Sequence, residues 1–132
     1  MNKIILGLAV MAAIGGFSVT AKAEGDPTKG EAVFRKCKIC HQVGEGAKNQ
    51  VGPQLNGVIG RTAGTVEGFN YSPAMKAAGE KGTVWTEENI AKYVENPKEF
   101  IPQNKMAFVG LKQESERADV IAYLKKFPAG GK

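Results

Sequence analysis

The residues best suited to chemistry are two cysteines and one histidine that stand almost side by side, in the run Cys37-Lys38-Ile39-Cys40-His41. They are the only cysteines and the only histidine among the 132 residues. A disulfide between residues three positions apart would close a very small loop and would restrain the unfolded chain little. A thioredoxin-like dithiol needs a strand–helix–strand setting, which the flanking sequence does not predict. A zinc site needs about four ligands, and no further cysteine or histidine could complete one.

The same five residues match the Cys-x-x-Cys-His pattern of covalent c-type haem attachment. Cysteines three positions apart at the end of a helix lie on one face, so both thiols can reach the two vinyl groups of one porphyrin. His41 can then ligate the iron. We therefore predict one haem c, bound covalently by Cys37 and Cys40. A large apolar porphyrin would also explain how a core forms around only one tryptophan, three tyrosines and six phenylalanines.

The Cys-x-x-Cys-His pattern does not identify the second axial ligand of the iron. A single histidine excludes bis-histidine ligation. Met75 lies in a helix-like stretch, where a methionine most simply packs in the core, whereas Met106 lies in a stretch without helical periodicity. Met106 is therefore either an axial ligand or a loop methionine folded onto the core. In the second case a reactive iron would indicate an enzyme or a gas-binding haem protein, and without haem a thiol–disulfide oxidoreductase is the more remote alternative.

The first 23 residues have the pattern of a secretory signal peptide. Lys3 precedes an uncharged apolar run from Ile4 to Ile14, and the segment ends in Ala21-Lys22-Ala23, a small-x-small cleavage site. An uncleaved membrane anchor is the alternative, because the apolar stretch nearly reaches the ~20 residues that span a bilayer. The cleavage motif favours removal of residues 1–23, export to the periplasm and a single domain over residues 24–132. The lost segment holds two lysines and no acid, so the net charge falls from +5 to +3.

The elements that must position the cysteine motif are predicted to be helices joined by loops, which makes the fold class all-α. Asp26 followed by Pro27 is typical of a helix start, and this helix should run toward Cys37. Residues 44–71 are rich in glycine and predict loops that wrap the porphyrin edge.

Two further helices are predicted in the second half of the chain. Thr86-Glu87-Glu88 begins one of them, with acids in the first turn, and it ends near Asn96-Pro97, where a short helix can follow. The last helix carries one apolar stripe and ends at Pro128. The stripe consists of Val120, Ile121, Leu124 and Phe127.

Ordered motifs along residues 24–132 resemble those of class I c-type cytochromes, most of all the bacterial cytochrome c2 type that is close to mitochondrial cytochrome c. The matching motifs are Gly30-x-x-x-Phe34, Gly52-Pro53-x-Leu55-x-Gly57-x-x-Gly60-Arg61, Gly68-Phe69-Asn70-Tyr71-Ser72, Trp85, Tyr93-Val94-Glu95-Asn96-Pro97-Lys98, Pro102, Lys105-Met106 and Arg117-Ala118-Asp119-Val120-Ile121-Ala122-Tyr123-Leu124. The resemblance implies the cytochrome c fold, in which helices and loops wrap around one covalently bound haem. It also implies that the first and last helices cross at Gly30.

The resemblance further assigns roles around the haem. Met106 would be the second axial ligand beside His41, and the carbonyl of Pro53 would accept a hydrogen bond from the His41 ring. Residues that would bind the haem propionates or line the cofactor are Arg61, Tyr71, Trp85, Tyr93 and Asn104. The chain departs from the family pattern at two places: Gln103-Asn104 replaces a common Gly-Thr, and Met75 replaces a common asparagine.

The implied function is that of a periplasmic one-electron carrier rather than an enzyme. Its partners would be larger redox complexes with acidic docking surfaces, such as a bc1-type complex, a terminal oxidase, a photosynthetic reaction centre or a periplasmic reductase. Four lysines match family positions around the haem edge: Lys36, Lys98, Lys105 and Lys112. Such charges steer association with acidic surfaces. The small net charge argues against nucleic acid as a partner, and we expect a monomer without stable membrane insertion.

Overall fold

In the computed structural model, residues 15–16 and 24–131 are described, and they include five helices. These are α1 (Pro27–Phe34), α2 (Pro73–Glu80), α3 (Glu87–Glu95), α4 (Pro97–Phe100) and α5 (Glu114–Leu124). Within this part of the chain, the only β-type pairing is an isolated bridge between Thr62 and Val84. The predicted signal peptide lies almost wholly outside the described residues, so it stays a prediction.

Helix α1 begins where the sequence predicts. The Asp26 carboxylate accepts hydrogen bonds from the backbone N–H groups of Thr28, at 2.8 Å, and Lys29, at 3.4 Å. Pro27 occupies the first turn, where its missing N–H costs nothing. The α-helix ends at Phe34, earlier than the predicted approach to Cys37, and the chain continues in tight turns.

Two helices of the second half, α3 and α4, also start at side-chain caps, whereas α5 begins without a side-chain cap hydrogen bond. The hydroxyl of Thr86 accepts from the Asn89 N–H at 3.1 Å and begins α3, and Asn96 caps the short α4. Helix α5 ends at Leu124, so the predicted stripe is only partly helical. Phe127 lies beyond the helix and packs edge-on against Tyr123, with 5.0 Å between the ring centroids.

Helices α1 and α5 pack against each other at a very close crossing. Gly30 is buried there, and a Cβ on it would collide with the carbonyl oxygen of Asp119 and lie 2.8 Å from the Tyr123 Cβ. Beside the crossing, the rings of Phe34 and Tyr123 pack with centroids 5.3 Å apart. The missing side chain at residue 30 therefore sets the distance between the two helices, as the resemblance implies.

The buried side chains surround a cavity instead of filling the centre of the domain. Those that line it come from all parts of the chain, including Phe34 of α1, Met75 of α2, Ile90 of α3 and Val120 of α5. No helix among the described residues is long and apolar enough to cross a bilayer. The cavity is where α1, α2, α3 and α5 converge with the long 41–71 loop region.

Candidate functional site

The cysteine motif sits on consecutive tight turns after α1. The N–H of Cys37 donates to the carbonyl of Phe34 at 2.8 Å, and the N–H groups of Cys40 and His41 both donate to the carbonyl of Cys37, at 3.0 and 2.9 Å. These bonds hold all three side chains close together. Both thiols are free and half-buried, and all three residues line the cavity.

The thiol of Cys37 is protonated at neutral pH. Burial raises its pKa to about 11 and outweighs the opposing effect of the nearby Lys36 ammonium. Redox-active cysteines require a lowered pKa, because the thiolate is the nucleophile. The electrostatics at Cys37 therefore do not favour thiol–disulfide chemistry.

The His41 ring is held from one side by a backbone carbonyl. Its Nδ1–H donates to the carbonyl oxygen of Pro53 at 2.7 Å, which fixes the tautomer and leaves Nε2 without the proton. Burial lowers the pKa of His41, the bond to Pro53 opposes this, and the charge of Arg61 adds to the lowering. A neutral imidazole with a bare Nε2 is the form that ligates metal ions.

Gly52 provides the space in which the His41 ring lies. A Cβ on this residue would collide with the ring, at 2.7 Å from Nδ1 and 2.8 Å from Nε2. The Gly52 N–H also donates to the carbonyl of Cys40 at 2.9 Å, so it ties the loop to the motif. This role of Gly52 was not predicted from the sequence, in which its position directly before the predicted acceptor Pro53 is the available signal.

The cavity has a volume of about 260 Å³ and a mainly apolar lining. Of the predicted cofactor residues, it brings together Cys37, Cys40, His41, Pro53, Arg61, Tyr71, Trp85, Tyr93 and Met106. Most of the aliphatic and aromatic lining was not predicted from the sequence as part of a cofactor site. It includes Leu55, Val58, Phe69, Ile90, Val94, Phe108, Leu111 and Leu124. These side chains could be identified only as core residues, because nothing in their local spacing shows that the core is hollow.

Arg61 carries an unsatisfied buried donor at this cavity. Its Nη1 donates to the carbonyls of Gln54, at 3.2 Å, and Asn56, at 3.3 Å, whereas its Nε is buried and has no partner among the described residues. Burial lowers the pKa of the guanidinium. Nearby Tyr71 accepts from the Val66 N–H at 3.0 Å through its hydroxyl oxygen. A half-buried guanidinium with an unpaired, buried Nε–H is best satisfied by an anion, so this site fits the carboxylate of a haem propionate.

Trp85 and Tyr93 form the aromatic wall of the cavity. Their ring centroids are 4.9 Å apart, and Phe100 lies 6.1 Å from both. Burial raises the pKa of Tyr93 well above its ordinary value, so its hydroxyl stays protonated. Met75, on α2, is buried and lines the same cavity, where its thioether adds apolar surface in place of the asparagine that the resemblance implies.

The loop between α4 and α5 presents Met106 to the cavity, and Asn104 holds it in place. The Asn104 side chain is buried and donates to the carbonyls of Pro97 and Ile101, both at 2.8 Å, while its oxygen accepts from the Met106 N–H at 2.7 Å. Both amide protons are thus used within the loop, and Asn104 does not line the cavity. In this structure the Asn104 side chain supports Met106, and its expected donation to a propionate stays a prediction.

Gln103, which stands where the resemblance implies a glycine, occupies a backbone conformation that favours glycine. It has a φ of 65° and is the only non-glycine residue with positive φ among the described residues. This left-handed conformation crowds the Cβ of any residue except glycine. The chain therefore keeps the loop conformation in spite of the substitution.

The four predicted docking lysines are all exposed, but only Lys36 and Lys105 lie at the edge of the cavity. The Nζ of Lys36 lies 3.7 Å from the Glu116 carboxylate, and that of Lys105 donates to the carbonyl of Asn70 at 3.4 Å. Lys98 lies on α4, and Lys112 donates to the carbonyl of Glu95 at 2.7 Å. The latter two therefore lie outside the cavity lining.

A family model described as cytochrome c matches residues 27–128. The chain belongs to the cytochrome c family. Members near it are electron-transfer proteins with a covalently attached haem c, and they are not enzymes.

Within the family, the chain is similar to cytochromes c2. The chain is 49% identical over 131 residues to cytochrome c2 of Blastochloris viridis, covering 99% of this chain and 98% of that protein. It is 55% identical over 105 residues to cytochrome c-550 of Ancylobacter novellus, covering 80% and 98%. The solved structure of cytochrome c2 from Rhodospirillum centenum matches with a TM-score of 0.75 at 52% identity, covering 79% and 99%. The predictions of an all-α cytochrome c fold and of a class I c-type cytochrome are confirmed.

Proposed function

We propose that this protein carries single electrons between larger redox complexes in the periplasm. The haem c is attached to Cys37 and Cys40, and its iron is ligated by His41 and Met106. The observation that carries the proposal is that His41 and Met106 line one apolar cavity, each fixed by its own hydrogen-bonded support. Two protein ligands leave no coordination site for a substrate, which favours electron transfer over catalysis or gas binding.

The cofactor supplies the one-electron change between Fe(II) and Fe(III), and the residues of the cavity set how readily it occurs. A thioether ligand and an apolar, largely buried site both favour the lower charge of Fe(II) and raise the potential. The Pro53 carbonyl makes the His41 imidazole more basic through its Nδ1–H, which favours Fe(III) and opposes that increase. Arg61 supplies the half-buried positive charge that would hold a propionate.

Partner choice follows from the surface lysines. Lys36, Lys98, Lys105 and Lys112 are exposed cations that would steer the protein toward acidic docking surfaces. The complexes that fit this chemistry are a bc1-type complex, a terminal oxidase, a photosynthetic reaction centre or a periplasmic reductase. The predicted signal peptide of residues 1–23 supports a periplasmic location, and we propose that the carrier acts as a monomer.

Ligation is tested by visible spectroscopy of the protein purified from a periplasmic extract, in which cleavage after Ala23 is checked by mass. Spectra are recorded for the oxidised protein, the reduced protein and the reduced protein under carbon monoxide. We expect sharp reduced c-type bands that carbon monoxide does not move. A prompt shift in the unaltered protein would show an accessible iron and would contradict the carrier proposal.

Two methionine variants identify the ligand. Met106→Ala should lower the reduction potential and let carbon monoxide bind, because it removes the thioether from the iron. Met75→Ala is the matched control, since it removes the other methionine of the same cavity and should leave the iron closed to carbon monoxide. An unaltered potential in Met106→Ala, or carbon monoxide binding only in Met75→Ala, would rule out Met106 as the ligand.

A further inference from the structure

The segment that carries Pro53 contains no helix, and a short series of hydrogen bonds holds it against the cysteine motif. The Gly52 N–H donates to the carbonyl of Cys40 at 2.9 Å, and the Leu55 N–H donates to the carbonyl of Gln42 at 3.0 Å. The Pro53 carbonyl lies between these two attachments. The position of the Pro53 carbonyl, which accepts from His41, therefore depends on how firmly residues 52–57 are fixed to residues 40–44.

Asn56 makes the next attachment with its side chain. The Asn56 Oδ1 accepts from the Gly44 N–H at 2.8 Å, and the Asn56 Nδ2 donates to the Gly44 carbonyl at 2.9 Å. One amide group thus satisfies both backbone groups of a single residue on the opposite segment. Asn56 is buried, with 8% of its surface exposed, so water does not replace these bonds readily.

The C-terminal tail, residues 127–131, covers this pair. The Gly57 N–H donates to the carbonyl of Phe127 at 2.8 Å, which fixes the start of the tail beside Asn56. At the other end, a Cβ on Gly131 would collide with the carbonyl oxygen of Gly44 and lie 2.8 Å from the Asn56 Nδ2. The backbone of Gly131 therefore lies directly on the Asn56–Gly44 pair.

We propose that Asn56, bonded to Gly44 and covered by the C-terminal tail, is a positioning residue for His41. It holds the segment so that the Pro53 carbonyl stays at hydrogen-bond distance from the His41 Nδ1. The tail thereby acts on the proximal side of the iron without touching the cavity, since residues 127–131 are absent from its lining. This inference rests on the proposed ligation by His41.

The test measures how fast the Nδ1 proton of His41 exchanges with water in the reduced, haem-loaded protein, by nuclear magnetic resonance. Asn56→Ala removes both bonds to Gly44, and Gly131→Ala places a methyl group against the same pair. Each should accelerate the exchange roughly tenfold or more, as expected when a buried hydrogen-bonded pair is lost. The amide proton of Leu124 in α5 serves as the reference for global unfolding and should be accelerated less.

Gly130→Ala is the matched control for Gly131→Ala. Both glycines have positive φ, at 87° and 74°, so an alanine strains the backbone similarly at either position. A Cβ on Gly130 meets nothing within 4 Å, whereas one on Gly131 meets Gly44 and Asn56. We expect Gly130→Ala to leave the His41 exchange rate unchanged.

Three results would overturn the inference: an unchanged His41 rate in both Asn56→Ala and Gly131→Ala, equal acceleration at His41 and Leu124, or equal effects of the two glycine variants. The absorption spectrum of each variant, with and without carbon monoxide, reports ligation separately. A spectrum that shows no histidine ligation in the unaltered protein would contradict the proposed function. A normal spectrum with unresponsive exchange would contradict only the role of Asn56.

Discussion

Gly52→Ala should loosen the bond between His41 and Pro53. Gly52 has no positive φ, so an alanine there meets no backbone strain, and the whole effect arises from the added methyl group. That group would lie 2.7 Å from the His41 Nδ1, where ordinary contact begins at 3.4 Å. The ring or the loop must therefore move by at least about 0.7 Å, the difference between these distances, because the Cε1 atom of the ring would lie closer still.

This displacement is large for the hydrogen bond that it affects. If it falls on the Nδ1 to oxygen distance, the bond lengthens from 2.7 Å toward about 3.4 Å, past the usual limit of about 3.2 Å. Loss of the bond costs about 0.5–1.5 kcal/mol, and overpacking costs about 1–3 kcal/mol. The reduced freedom of the unfolded alanine chain returns roughly 0.4–1 kcal/mol. We expect a net loss of about 1–3 kcal/mol in the free energy of unfolding.

The same change should raise the reduction potential. A weaker bond to Pro53 makes the His41 imidazole less basic and therefore stabilises Fe(III) less. Because 59 mV corresponds to a tenfold change in a one-electron equilibrium, a differential effect of about 1 kcal/mol predicts an increase on the order of 40 mV.

The assays are denaturant unfolding of the haem-loaded protein and potentiometric titration, with Gln50→Ala as the control. Gln50 lies in the same loop with an exposed side chain, and its N–H bond to the Gly52 carbonyl belongs to the backbone. A Gly52→Ala protein with unaltered stability and potential would refute the contact argument. Reduced stability with an unaltered potential would refute the link between the Pro53 bond and the iron.

Two further predictions concern the surface and the Met106 loop. Lys98→Glu combined with Lys105→Glu should slow electron transfer to an acidic partner about tenfold or more at low salt. The difference from the unaltered protein should shrink as salt screens the charges. Stopped-flow rates that do not depend on ionic strength would contradict this steering. Gln103→Gly should raise the thermal midpoint by a few degrees, because about 1–2 kcal/mol of left-handed strain exceeds the roughly 0.4–1 kcal/mol entropy cost of glycine. Calorimetry of the haem-loaded variant checks it, and a lowered midpoint would show that Gln103 makes a stabilising contact that outweighs its strain.

The local parts of the molecule were predictable because their causes are close in sequence. Asp26 and Thr86 cap the helices that follow them, and the run from Cys37 to His41 places three functional groups on adjacent turns. The prediction of where α5 ends was less accurate. The apolar spacing continues to Phe127, but the helix ends at Leu124 and the Phe127 ring packs from the following turn. The periodicity of apolar residues shows which face of a helix is apolar, but it does not show where the helical backbone hydrogen bonds end.

The hydrogen bonds of Asn104 and the unsatisfied Nε of Arg61 could be identified only in the folded structure. Asn104 could be predicted to donate, but whether it donates to a cofactor or to its own loop depends on the loop path, which no periodic signal encodes. The unpaired Arg61 Nε similarly depends on where residues 54–61 turn. Such irregular segments are positioned by long-range contacts and not by local propensity.

The sequence by itself determined the attachment motif and the helical class, and through the family resemblance it predicted the axial ligands and the type of carrier. Only the tertiary structure showed that Gly52 makes room for the His41 ring and that the tail at Gly131 covers the Asn56–Gly44 pair. The physical reason is that a contiguous motif needs only the geometry of one helical turn. These contacts instead join segments far apart in the chain, whose approach is set by the packing of the whole domain.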